Sequence, residues 1–130
     1  MKQTSAAAIV VLIACGLSGA TAAPPGLTRT DLQRHALSIP GREVVQTRID
    51  FPPGAVAGRH KHPGEEIIFV LRGTLEYHVD GARPVTLKAG GVLFIPSGVV
   101  HSATNVGRDT ASELGTYVVE TGKPLVVPVP

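Results

Sequence analysis

Residues 58–73 read GRHKHPGEEIIFVLRG. Two histidines, His60 and His62, stand two apart, and Glu66 follows four residues later. Residues two apart in an extended chain share a face, so both imidazoles point the same way. Pro63-Gly64 turns the chain, and EEIIFVLR then reads as a strand with Glu66 on the face of Ile68 and Val70. Imidazoles and a carboxylate brought together suit a first-row divalent metal. A polar loop with a charged edge is the plainer reading, but it gives no reason to place two of only 5 histidines side by side.

The pattern around this stretch is one of short strands. EVVQTRIDF (43–51) alternates Val45, Thr47, Ile49 and Phe51 against Val44, Gln46, Arg48 and Asp50, as a half-buried strand does. PPG (52–54) stops it. LEYHV (75–79) follows Gly73, and Asp80-Gly81 is a hairpin signal. VTLK, VLFIP, VVHSATNV and ELGTYVVE continue the series, with turns between them. LTRTDLQRHALS (27–38) permits a short helix or an irregular edge strand. The tail KPLVVPVP (123–130) carries prolines that forbid a central strand.

With 130 residues, 15 glycines and 11 prolines, this is an all-β chain of one domain, a sandwich or barrel filled by Val, Ile and Leu. The net charge is +2 with both signs interspersed, and no basic block is interleaved with aromatics, so nucleic acid is not an expected partner.

Residues 90–105, GGVLFIPSGVVHSATN, add a fourth candidate ligand. His101 follows a Pro-Ser-Gly turn and opens a strand, with Ala103 and Asn105 on its face. A barrel can bring this strand across from the first hairpin.

At these two segments the chain resembles the cupin superfamily. The first cupin motif is met by Gly54, His60, His62, Glu66 and Gly73, and the second by Gly90, Pro96, Gly98, His101 and Asn105. All the fixed positions match in order, and residues 74–89 form a compact spacer between the motifs. The resemblance implies a double-stranded β-helix of the cupin or jelly-roll kind with a metal inside one end. It implies that His60, His62 and His101 are the imidazole ligands, that Glu66 is the carboxylate ligand, and that Asn105 is structural. It also implies one divalent transition metal per chain, iron first, with manganese, nickel or zinc as alternatives. Small single-domain cupins of this look are often described as quercetin-dioxygenase-like.

Four protein ligands on an octahedral ion leave two adjacent positions open for substrate or dioxygen. The walls predicted by alternation are apolar: Val45, Ile49, Phe51, Ile68, Val70 and Ala103. No second acid or base is evident near the ligands, and the resemblance implies that Glu66 itself, the candidate catalytic group, could leave the metal and take a proton. Such a site suits metal-centred oxidation of a small substrate better than hydrolysis. A dioxygenase-like oxidoreductase is therefore the first expectation. The alternatives are a metal-dependent lyase, decarboxylase or isomerase acting on a small carboxylate or sugar acid, and a non-catalytic protein that captures a small ligand or metal.

The N-terminus reads as a secretory leader. Lys2 precedes the apolar run AAAIVVLIA, and Ala20-Thr21-Ala22 fits a cleavage site. The apolar run is too short to span a bilayer, so no integral membrane segment is expected in the mature chain. A periplasmic or secreted location follows. LIACG around Cys15 also resembles a lipobox, which would anchor the protein by a lipid at that residue. The expected organisation is a signal peptide (1–22), an N-terminal arm (23–40), a barrel (41–122) and a C-terminal tail (123–130). Apolar residues in the arm and tail predict a homodimer.

Overall fold

The computed structural model describes residues 26–130. The leader, Cys15 and the first residues of the arm lie outside the described residues. Ten strands follow one another: β1 (Thr28–Ala36), β2 (Arg42–Phe51), β3 (Val56–Lys61), β4 (Gly64–Arg72), β5 (Thr74–Val79), β6 (Val85–Lys88), β7 (Val92–Ile95), β8 (His101–Asn105), β9 (Ala111–Glu120) and β10 (Val127–Pro128). No helix among the described residues is long and apolar enough to cross a membrane.

The strands form two five-stranded antiparallel sheets, ordered β1-β2-β9-β4-β7 and β10-β3-β8-β5-β6. Their facing sides close the double-stranded β-helix expected from the motifs. Ile49, Phe51, Ile68, Val70, Ile95 and Ala111 from one sheet meet Ala57, Leu75, Tyr77 and Ala103 from the other in a single buried cluster. Each large aliphatic side chain buried there contributes about 1.5–3 kcal/mol over its exposed state. All six wall residues predicted by alternation are buried. A second cluster of Val45, Tyr117 and Val119, with Leu125 packed against it, caps the core.

Two elements at the margins were ambiguous in sequence. Residues 28–36 form a strand, because the ladder with β2 runs from Thr28↔Asp50 to Ala36↔Glu43 and satisfies their backbone groups. This strand is exposed on both faces throughout its length. The tail supplies β10, which pairs Val127 with Lys61 and Pro128 with His60. Its position at a sheet edge tolerates a proline without an N–H.

One irregularity orients the site. Ala57 lies opposite Ala103, but His60 lies opposite His101, so β3 carries one extra residue against β8. A bulge of this kind turns the strand and re-aims the side chains that follow. Ala57 and His60 are both buried while Gly58, Arg59 and Lys61 stay exposed.

Candidate metal centre

His60 follows the bulge on β3, His62 lies just beyond the strand's end, Glu66 faces inward from β4, and His101 opens β8. The turn before His101 brings Gly98 beneath His62, whose carbonyl accepts the Gly98 N–H at 3.2 Å. Gly98 holds φ +74°, a conformation that glycine adopts without penalty. All four candidate residues are at most 7% exposed. The three histidines each offer a ring nitrogen within 4.8 Å of the other two. Glu66 Oε2 lies 3.0 Å from His101 Nε2 and 3.2 Å from His62 Nε2.

The backbone fixes which nitrogens face the centre. His60 Nδ1 donates to the Gly58 carbonyl at 2.6 Å, His62 Nδ1 to the Leu125 carbonyl at 2.6 Å, and His101 Nδ1 to the Val99 carbonyl at 3.0 Å. A carbonyl only accepts, so each Nδ1 carries the hydrogen and a neutral ring presents a bare Nε2. Three lone pairs and a carboxylate then converge in a buried pocket. His62 Nε2 and Glu66 Oε2 are buried with no hydrogen-bond partner among the described residues. Acceptors gathered in this way are costly unless a cation sits among them. Burial lowers the His60 pKa to about 4, which keeps that ring neutral. Burial also disfavours charge on His101, yet the Glu66 carboxylate and the Val99 carbonyl outweigh it and raise its pKa. One shared proton can bridge His101 and Glu66, but it leaves the other two lone pairs unmatched. A divalent ion would satisfy all four donors, and outer carbonyls that fix imidazole tautomers are the usual support of such an ion.

The interior is more polar than the sequence suggested. The Tyr117 ring stands 4.8 Å from that of His62, edge to face. Its hydroxyl lies over Gly115, where a Cβ would come within 2.7 Å of it, so only a glycine leaves room. Further along β9, Glu113 is buried and accepts the Tyr77 hydroxyl at 2.5 Å. Burial, reinforced by the Glu66 charge, raises the Glu113 pKa to about 7. Burial likewise raises both phenols. Sequence reading found no acid here because a glutamate in a strand reads as outward-facing. The available signal was parity, since Glu113, Gly115, Tyr117 and Val119 share one face of β9.

Asn105 is buried, donates to the carbonyls of Phe51 and Asp109 at 2.8 Å, and accepts the Gly107 N–H. His35 is exposed, and the exposed His78 pairs with Glu76. Arg59 faces outward and forms a two-pronged pair with Asp80, both contacts at 3.0 Å.

A small antiparallel barrel with three imidazoles and a carboxylate turned inward at one end defines a class of metal-competent barrels. Residues 47–127 match the Cupin domain family, well over half of the chain, and the protein belongs to that family. Among curated relatives, the oxalate-binding protein of Thermotoga maritima is 40% identical over 72 residues, covering 55% of this chain and 59% of the relative. Oxalate oxidase GF-3.8 of Triticum aestivum is 32% identical over 124 residues, covering 87% of this chain and 54% of the relative. A solved structure of oxalate oxidase in complex with the substrate analogue glycolate superposes with a TM-score of 0.65 at 26% identity, covering 83% of this chain and 63% of that one. The chain thus spans between about two fifths and three fifths of the length of the curated relatives it matches.

Proposed function

We propose that this cupin holds one divalent transition metal through His60, His62, Glu66 and His101 and, with dioxygen, oxidises a small carboxylate of the oxalate type. The observation that carries the reading is the convergence of three Nε2 lone pairs, each fixed by a backbone carbonyl, on the Glu66 carboxylate. The names of the oxalate-binding and oxalate oxidase relatives support the substrate class. Iron is the first candidate, with manganese, nickel or zinc as alternatives, because such a donor set accepts several ions. The metal would supply Lewis-acid and redox chemistry to a bound carboxylate. The protein's own residues would do the rest. The backbone carbonyls would hold the imidazoles, the apolar wall of Ile68, Ile95 and Ala103 would limit water, and Glu66 is assigned as the group that would leave the ion to take a proton.

The test is metal analysis of protein purified from its own host, followed by oxalate addition with dioxygen monitored. Uptake of dioxygen that requires the metal supports oxidation. Metal-dependent oxalate binding without turnover would instead assign a capture role, a second reading favoured by the likeness to the Thermotoga maritima protein. Absence of any bound transition metal would reject both.

The reading extends to export and to a homodimer. The leader motivates export, and an N-terminus that begins near Ala23 in mature protein is the expected result. The dimer rests on one apolar face. Ile67, Phe69, Leu71, Val92 and Phe94 lie on the outer side of β4 and β7, each at least 43% exposed. Edge strand β1 is also uncovered on both faces. A second copy would bury this surface. Light scattering at micromolar concentration should give twice the chain mass, and a monomer would reject the dimer.

A further inference from the structure

Four arginines on this barrel are committed to ion pairs. Arg34 pairs with Glu43, Arg48 and Arg72 with Asp50, and Arg59 with Asp80. Arg29 has no ion-pair or hydrogen-bond partner among the described residues. Its position in the fold makes this informative. On β1 it stands directly opposite Ile49 of β2, and paired residues in an antiparallel ladder share a face. Ile49 points into the core and is fully buried. Arg29 therefore projects from the inner face of the sheet, at the uncovered edge where β1 extends the barrel wall. Its neighbour on that face, Asp31, is opposite Thr47 and accepts the Thr47 hydroxyl at 3.3 Å.

Across from Arg29 runs β3. Between them lies a cavity of about 190 Å³ lined by Leu27, Arg29, Ala57, Arg59, His60 and Val126, among others. It is small beside the roughly 300–1,000 Å³ of sites for drug-sized ligands, and so suits an anion of a few heavy atoms. One wall is His60, a member of the candidate metal set, and another is an uncommitted guanidinium. A guanidinium matches a carboxylate with two parallel N–H···O contacts, which a lysine cannot reproduce.

We propose that Arg29 is the anion-gripping residue at the mouth of the site, drawing a small carboxylate past His60 and setting its orientation. This rests on the reading above that a small carboxylate binds at the metal. It assigns a specificity role to the strand that precedes both motifs. Arg29 is a positioning residue for the substrate and takes no part in holding the ion.

The experiment is calorimetric titration of oxalate into the metal-loaded full chain, compared with Arg29→Gln and Arg29→Lys. Oxamide, the neutral analogue of the same shape, is the control ligand. Arg29→Gln should bind oxalate roughly ten- to a hundredfold more weakly, the range for losing a charged hydrogen-bonded contact, with metal content and melting temperature unchanged. Arg29→Lys should fall between the two, and any oxamide binding should be indifferent to the substitution. Parent-like oxalate affinity in Arg29→Gln overturns the proposal while leaving the carboxylate reading intact. So does an equal loss for oxalate and oxamide, which would mark a general distortion. A metal-loaded parent that binds no oxalate overturns the carboxylate reading, and the role of Arg29 falls with it.

Discussion

Glu66 and Glu113 are buried carboxylates on adjacent strands of one sheet, yet their surroundings drive them apart. Around Glu66, burial favours the neutral acid, but the close approach of the His101 and His62 rings, at 3.0 and 3.2 Å, outweighs it and holds the pKa well below the ordinary range. Around Glu113, burial is opposed mainly by one tyrosine hydroxyl and the distant charges of Arg29 and His101, and it wins. The same side chain in the same core becomes an anion at one end of the barrel and a group titrating near neutrality at the other. The difference teaches that imidazoles, rather than depth, decide where this barrel holds negative charge. Pairs of carboxylates pushed apart in this way are where acid and base roles divide.

The largest effect should come from removing the imidazole that most supports the Glu66 side. His101→Ala should weaken metal binding by more than the roughly 10–100-fold that loss of an outer partner costs. It should leave the fold standing, since the core cluster is aliphatic and aromatic. Metal content and thermal unfolding measured on one sample check this. A variant that retains parent-like metal affinity would remove His101 from the set.

Next comes the Glu113 side. A carboxyl whose folded pKa lies near 7, against an ordinary 4.5, stabilises the fold fully below pH 4.5 and loses that contribution as pH rises through 7. Glu113→Gln keeps the neutral shape and cannot titrate. The parent should therefore lose on the order of 3 kcal/mol relative to the variant across that window. Melting curves of both proteins, metal-free, from pH 4 to pH 8 give the difference. The groups facing Glu113 are Tyr77, Glu66, Arg29 and His101, and a difference that does not change with pH would mean they already hold it ionised.

Gly115 joins the two regions, and a smaller effect is expected there. Gly115→Ala places a methyl against the Tyr117 ring and hydroxyl, which are backed by His62. Overpacking of this kind costs about 1–3 kcal/mol, and displacement of Tyr117 should weaken metal binding as well. An unaltered metal affinity would separate the two ends of the barrel. Smallest is Tyr77→Phe, which removes the donor to Glu113. The stability loss should be about 1 kcal/mol. Because that hydrogen bond favours the carboxylate, its loss should move the Glu113 titration to higher pH.

The ligand candidates were legible because they are side chains in register with turns. His60, His62, Glu66 and His101 announce themselves by type and spacing, and the alternation on β8 correctly turned Ala103 and Asn105 inward. The bulge at residues 57–60 was not legible, since it depends on what β8 places opposite. Alternation from His60 onward survived it, because the slip falls before the histidine. The carbonyls of Gly58, Val99 and Leu125 were invisible for a simpler reason: every residue has one. Glu113 was missed because hydrophobic parity is read from apolar residues, and a lone acid on the inner face looks like an error in the pattern. The cupin motifs thus pointed to the end of the barrel where the candidate ligands converge, and the polar floor beneath it had to be seen in three dimensions.

The hydrogen bond from His62 to Leu125 has a further consequence. It joins two residues 63 apart in the chain, so the tautomer of a residue in the first motif is set by a carbonyl near the last residues of the sequence. The site is then a clasp on a long loop. Loops of this length close slowly and at an entropic cost that grows with the logarithm of their size. An ion seated on His62 would draw that closure tight, and its release and the fraying of the C-terminal strand would become one event. Metal occupancy and the integrity of the tail therefore report on each other: loading the ion should slow proteolysis of residues 123–130, and trimming them should speed its loss.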